Sequence, residues 1–403
     1  MGRARHNVHA SVHEDITSPP GGPEERRDEK QGFFSRKIAH FLRRSSIATG
    51  STRMRFNDGN AVAPAERAVS PLSQSAGTVL MRLAPSKNHP NMTVTDAEIV
   101  FGTKNYAVAT SNGVRKANED RFRVISNLEL YGKGLITADR KVHTYQDAVE
   151  KQMLEMFERE GTAPKMDMKK LLKHKTMTNT EFYGVFDGHG GDKCSSLLAL
   201  LLPLYLLLSP DFQSNLIAST KRACLAINEE ILKREEAAQS EGGSTALAVL
   251  IRNGVAYVCN IGDCRAILIS RSGVKALTTD HKATNEKEKQ RIEDAGGLVL
   301  YVKGVARVNG RLAVSRAFGD AELQQYVIAN PEITCHELAA EDEYIVIASD
   351  GLWDALSNEQ VMACIRNHPW LSIDEIAQVL INRAIEEGSM DNVTVLVIDV
   401  RKR

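Results

Sequence analysis

Long apolar runs are absent from this chain of 403 residues. The longest, Leu197–Leu208, is shorter than the roughly 18–20 residues a membrane-spanning helix needs, and Pro203 interrupts it. It reads as a buried helix segment. Cysteine is scarce. Cys194, Cys224, Cys259, Cys264, Cys335 and Cys364 form no Cys-x-x-Cys pair, and no histidine stands at zinc spacing from them. That excludes a disulfide framework and a zinc ribbon, and is read as reduced, mostly buried thiols of an intracellular protein. An excess of one charge is missing too: 51 Lys+Arg face 51 Asp+Glu. The whole chain therefore has no bulk attraction for nucleic acid or membrane. The first thirty residues lack a secretory pattern, being polar with Glu14, Asp15, Glu24, Glu25, Asp28 and Glu29 among them. No internal repeat is found.

The charge that is present is unevenly spread. Residues 1–95 hold 14 Lys+Arg against 8 Asp+Glu, a balance of +6, which leaves −6 on the rest. Prolines at 19, 20, 23, 64, 71, 85 and 90, with Ser, Gly and Ala between them, predict a disordered tail over 1–95. Within it, 31–56 is basic and free of acids. Phe34, Ile38, Phe41 and Leu42 follow helical spacing, opposite Arg36, Lys37, His40, Arg43 and Arg44. Such a segment suits a membrane surface or mitochondrial targeting, but the acids before it favour a cytoplasmic protein with a solvated tail.

The folded body is expected from about residue 100. Tyr106–Ala109, Arg121–Ile125, Glu181–Phe186, Thr245–Ile251, Val255–Asn260, Arg265–Ser270, Val274–Leu277, Tyr344–Ala348 and Val393–Val400 read as strands. Arg252-Asn253-Gly254 and Arg271-Ser272-Gly273 are hairpin signals between two pairs of them. Cys194–Leu208, Ser214–Gln239, Asn285–Ala295 and Ile373–Glu387 read as helices. A polar insertion is expected over about 127–180, with Val149, Met153, Met156 and Phe157 at helical spacing and a basic run at Lys169–Lys175. Clustered antiparallel strands with separately grouped helices indicate an α+β fold with sheets packed face to face.

Several strands run into acidic residues beside Gly or Asn. They are Phe186-Asp187-Gly188-His189-Gly190-Gly191, Ile261-Gly262-Asp263, Ala348-Ser349-Asp350-Gly351 and Asp391-Asn392-Val393, while Asn118-Glu119-Asp120 precedes another strand. One Asp-Gly pair at a strand end is ordinarily a turn. Five acidic strand ends in one domain need partners: basic side chains, shared protons or cations. Hard divalent cations prefer oxygen ligands, and glycine beside an acid leaves room for water and backbone carbonyls.

Over roughly 104–400 the sequence resembles the PPM, or type 2C, family of serine/threonine protein phosphatases. The resemblance is carried in order by Arg115–Arg121, Val185–Gly191, Gly243-Ser244-Thr245-Ala246, Gly262-Asp263-Cys264-Arg265, Val308–Asp320, Ala348–Asp354 and Asp391-Asn392. It implies two antiparallel sheets packed as a sandwich with helices on both sides, and a centre of two Mg²⁺ or Mn²⁺ ions with a weaker third. By the same resemblance Asp187 bridges both ions, and Asp350 and Asp391 hold one. The Gly188 carbonyl and Glu119, through water, hold the other. Asp263 belongs with Asp350 to the third site, Asp120 orients the attacking water, Arg115 grips the substrate phosphate, and His189 is the general acid. The implied reaction is hydrolysis of phosphoserine or phosphothreonine in phosphorylated proteins by metal-activated water, without a covalent intermediate, in a monomer. For Asp263 a turn cap and for His189 a structural histidine remain as readings, as do structural roles for Asp354 and His281. Arg316 and Asp320 fall where the resemblance puts a flap beside the cleft.

Two other readings follow from the same residues. Cys259 through Arg265 has the Cys-x-x-Gly-x-x-Arg spacing of cysteine-dependent phosphatases, although Asp263 sits where a thiolate wants positive surroundings. An inactive scaffold of the same fold is the other, and it would be expected to lack one of Asp187, Asp350 and Asp391.

Overall fold

The computed structural model describes residues 79–80, 98–103, 105–134, 179–238 and 242–401. The chain divides into Met1–Pro64, outside the described residues, and Ala65–Arg403, to which everything below belongs. The basic segment 31–56 and the helical pattern at Val149–Phe157 and Lys169–Lys175 also lie outside the described residues.

Two antiparallel sheets form the body. The first has the order β1 (Val79–Leu80), β2 (Glu98–Gly102), β3 (Tyr106–Ser111), β17 (Val393–Asp399), β16 (Asp342–Ala348), β10 (Arg265–Ser270) and β11 (Gly273–Ala276). The second runs β15 (Glu332–Glu337), β9 (Val255–Ile261), β8 (Ala246–Arg252), β5 (Glu181–Phe186) and β4 (Arg121–Ile125). Side chains alternate across each strand, so every central strand feeds two cores. Ile345 and Ile347 of β16, Leu396 and Ile398 of β17, and Leu247 and Val249 of β8 share the core between the sheets. Val346, Ala348, Val395 and Val397 point the other way, onto α5 (Asp350–Trp353), α6 (Asn358–Arg366) and α7 (Ile373–Glu386). Ala246, Ala248 and Leu250 face α2 (Lys193–Leu208) and α3 (Leu216–Ala238). Burial on both faces explains why these strands read as continuous apolar runs rather than as alternating ones.

The long apolar run is α2. It is apolar nearly all round because the second sheet covers one side and α3 the other. Among the described residues no helix is long and apolar enough to cross a membrane. Both hairpin signals close hairpins. Asn253 (φ 52°) and Gly254 (φ 75°) take the left-handed backbone of a tight β8–β9 turn. Helix starts follow local capping: Asn285 caps α4 (Glu286–Asp294), and Ser357 with Gln360 and Ser372 with Glu375 form capping boxes on α6 and α7.

Some elements were not legible. Val79–Leu80 pairs with β2 inside the stretch expected as tail; a two-residue edge strand has no periodicity to read. The insertion begins with α1 (Leu128–Gly134), whose Leu128 is core and whose Glu129 is buried against Thr180. Helix α6 buries only Val361 and Ile365, too little for a visible stripe. An exposed hairpin, β12 (Val299–Val302) with β13 (Val305–Val308), packs with α4 around a small separate core that includes Ile292, Val308 and Val314.

Candidate metal centre

The acidic strand ends meet at one edge of the sandwich. Asp187 leaves β5, and its backbone is clamped by the next segment. Its carbonyl accepts from the Thr245 N–H at 2.9 Å and the Ser244 hydroxyl at 3.0 Å. Asp350 opens α5 directly after β16, tied to β17 by the Thr394 N–H donating to the Ser349 Oγ at 3.0 Å. Asp263 sits in the tight β9–β10 turn, where Gly262 at φ 111° lies against Thr245. Asp187, Asp263 and Asp350 each offer a carboxylate oxygen, all within 4.8 Å of one another.

A second group of loops is held by one side chain. Asn392, buried at the start of β17, donates to the carbonyls of Asn112 (3.0 Å) and Ala117 (2.9 Å). Its Oδ1 accepts from the Glu119 N–H at 2.8 Å. That fixes the loop carrying Arg115, Glu119 and Asp120. Asp120 is buried; its Oδ2 accepts from the Ser349 hydroxyl at 2.8 Å, while its Oδ1 has no hydrogen-bond partner. Gly188 comes so close to this loop that a Cβ there would lie 2.7 Å from the Glu119 carbonyl oxygen. The Asp350 and Asp391 segments touch similarly: a Cβ on Gly351 would stand 2.1 Å from the Asn392 carbonyl oxygen. Gly351→Ala is therefore expected to cost about 1–3 kcal/mol of stability by forcing β17 and α5 apart, measured as a lower urea midpoint with unchanged m.

The electrostatics are those of anions held too close. Burial, then the neighbouring carboxylates of Asp120, Asp350, Asp263 and Asp391, push Asp187 well above the usual carboxylate range. Burial with Asp263, Asp354 and Asp391 does the same to Asp350. Burial lifts Asp120 to about 6, and lifts Asp263 to about 6 against the pull of Lys282. The donor set is all oxygen and mutually repelling, and the orphaned oxygen of Asp120 adds a further buried anion to its field. It fits divalent cations, whose charge would relieve that repulsion.

The other expected residues divide. Asp391 carries its Oδ2 against Arg115 Nη2 at 2.8 Å, and Arg115 Nε also donates to the Met390 carbonyl at 3.1 Å. The guanidinium is thus parked, exposed, at the rim of the cluster. His189 is not beside the three carboxylates in any contact; its Nε2 pairs with Asp320. His281 is buried, accepts from the Gly262 N–H, and is pushed down to about 4, chiefly by burial and then by Arg316, so it is a neutral structural histidine. Arg316 binds Glu288 at 2.6 Å rather than facing the cleft. Asp354 binds Lys282 Nζ at 2.6 Å, and that ammonium lies 4.0 Å from Asp263. Lys282 was missed because a single charged residue far from Asp187 in sequence carries no spacing signal; Asp320 was expected only at a flap, and its pairing with His189 is set by the fold. Cys259 is buried in the middle of β9, paired on both sides by β8 and β15, so no phosphate-cradling loop surrounds its sulfur.

A family model for protein phosphatase 2C matches residues 148–393. The "probable protein phosphatase 2C 59" of Oryza sativa subsp. japonica is 39% identical over 216 residues, 54% of this chain and 65% of that protein. The "probable protein phosphatase 2C 32" of the same organism is 36% identical over 231 residues, 55% of this chain and 58% of that protein. The chain thus spans less than two thirds of the length of either relative. Among solved structures, a serine-threonine phosphatase 2C from Toxoplasma gondii superposes with a TM-score of 0.57 at 21% identity, covering 80% of this chain and 98% of that one. At that identity the likeness speaks for the fold alone.

Proposed function

The chain belongs to the protein phosphatase 2C family, and from that premise we propose that it hydrolyses phosphoserine and phosphothreonine in protein substrates with the help of Mg²⁺ or Mn²⁺. The observation that carries this reading is the convergence of Asp187, Asp263 and Asp350 within 4.8 Å. Asp391, Glu119 and the Gly188 carbonyl complete the ligand set we assign. Divalent cations there supply charge neutralisation and a nucleophile at neutral pH.

The chain's own groups do the rest. Arg115, whose planar fork matches two phosphate oxygens, exchanges Asp391 for the substrate phosphate. The partnerless Oδ1 of Asp120 accepts from the attacking water and sets its direction. His189 gives a proton to the departing serine or threonine oxygen, a contribution of about 10²–10⁴-fold. An inactive scaffold of this fold would be expected to lack one or more of Asp187, Asp350 and Asp391, and all three are present.

Phosphate release from a phosphoserine peptide tests the reading. Turnover is expected with Mg²⁺ or Mn²⁺, to vanish in excess EDTA, and to persist in Cys259→Ser. Turnover that survives EDTA but is lost in Cys259→Ser would overturn it.

A further inference from the structure

We propose that Asp320 is a positioning residue for His189, holding the imidazole by Nε2 so that Nδ1 is the nitrogen facing the leaving oxygen of the substrate. The proposal rests on the phosphatase reading above. Both carboxylate oxygens of Asp320 lie against Nε2, at 3.0 and 2.8 Å. Among the described residues, Nδ1 has no hydrogen-bond partner.

The pair is built by the fold rather than left to two surface side chains. A three-stranded patch of β6 (Gly188–His189), β7 (Gly243–Ser244) and β14 (Phe318–Gly319) sets His189 and Asp320 on either side of Gly243. A Cβ on Gly243 would stand 2.3 Å from Asp320 Oδ2 and 2.6 Å from His189 Nε2, so only glycine leaves room for this contact. Asp320 itself is held in left-handed backbone, φ 52° and ψ 51°, which a non-glycine residue adopts at a cost and which concentrates at functional sites. Its N–H donates to the Gly242 carbonyl at 3.1 Å, and the preceding Gly319 N–H donates to Asn228 Oδ1 of α3 at 3.0 Å. Glu235, two turns further along the same face of α3, is raised to about 7 by burial and then by Asp320. Helix, patch and strained turn therefore converge on one contact. An exposed ion pair would be worth about 0–1 kcal/mol and would need none of this support. The Asp320 side chain is only 11% exposed and the His189 side chain 28%.

The chemistry follows from the assignment of the two nitrogens. Nε2–H donates to Asp320, which fixes the ring's orientation. The Nδ1 proton goes to the leaving oxygen as the P–O bond breaks and its electron pair moves to that oxygen. Water supplies the hydroxyl of the new P–O bond and releases its other proton to solvent, and solvent returns a proton to Nδ1. A serine alkoxide needs that proton; a nitrophenolate leaves well without it. Loss of orientation should therefore appear as a substrate-dependent defect.

The test compares kcat on a phosphoserine peptide with kcat on p-nitrophenyl phosphate. Asp320→Asn and Asp320→Gly are both used, since Asn and Gly tolerate left-handed backbone. The peptide-to-aryl ratio of kcat is expected to fall about 10²-fold in each, with KM for the peptide little changed. In a His189→Gln background the ratio should fall by a similar factor, and adding Asp320→Asn should lower it no further. An equal loss on both substrates, or a further fall in the double variant, would overturn the proposal. Full peptide activity in Asp320→Asn beside a slow His189→Gln overturns it alone. Full peptide activity in His189→Gln overturns the assignment of His189, and this proposal with it.

Discussion

Asp187→Asn is expected to lower divalent-cation-dependent hydrolysis of a phosphoserine peptide by about 10³-fold. Asp187 is the residue of the cluster that the other carboxylates crowd, with Asp120, Asp350, Asp263 and Asp391 all raising it. Charge neutralisation by cations at such a site is worth several kcal/mol, and each 1.36 kcal/mol is about tenfold in rate. Asparagine keeps the shape and the backbone clamp from Ser244 and Thr245 but removes the anion. The same change has an opposite effect on the cation-free protein. One member of a repelling group is neutralised, so Asp187→Asn should melt higher than the parent in EDTA. Turnover and melting temperature together distinguish loss of a ligand from loss of the fold. Undiminished cation-dependent turnover would refute the cation role assigned to Asp187.

The second large effect is on stability against pH. Asp120 and Asp263 are lifted to about 6 in the fold, while an unfolded chain titrates them near the ordinary value of 3.8. Groups raised in this way contribute fully below the unfolded value, and the contribution is lost as pH rises through the folded one. Asp187 and Asp350 are raised as well, by burial and the neighbouring carboxylates. A tenfold change in a group's proton affinity is worth about 1.36 kcal/mol, so the cation-free cluster costs the fold roughly a few kcal/mol by about pH 7.5. Two groups act with the other sign. His281, pushed down to about 4, loses its contribution as pH falls from about 6.5. Burial raises Glu288, but Arg316, Ser315 and Arg291 outweigh it and hold it at about 2, so its contribution fades from about pH 4.5 down through about pH 2. Because His281 opposes the cluster, the quantity to measure is the gain in melting temperature on adding Mg²⁺ or Mn²⁺. Ligands must be deprotonated to bind, so that gain should be several degrees larger at about pH 7.5 than at about pH 5. A gain that is flat or falls with pH would contradict the assignment of the carboxylates to cations.

Much of this protein was legible in its sequence. Central strands and long helices announce themselves because burial on both faces demands unbroken apolar runs, as in Tyr344–Ala348 and Leu197–Leu208. The acidic strand ends were legible because Asp beside Gly is a local pattern. Asn392 was visible only as part of such a pattern; that it staples the loop of Arg115, Glu119 and Asp120 required the fold. Edge elements such as β15 and α6 escaped notice because few of their side chains are buried, and a pattern of burial is what sequence reading detects.

What the sequence determined by itself was which residue types are available: oxygen donors at strand ends, a guanidinium, an imidazole, and glycines where chains must approach. What the tertiary structure alone decided was which of them meet. Asp187, Asp263 and Asp350 are brought within 4.8 Å from three different strand ends. Asp391 is turned to Arg115 and His189 to Asp320, while His281 and Arg316 are withdrawn into structural pairs. The physical reason is that secondary structure is written in local spacing, whereas the pairing of charges depends on distances set by sheet register and packing between segments far apart in the chain.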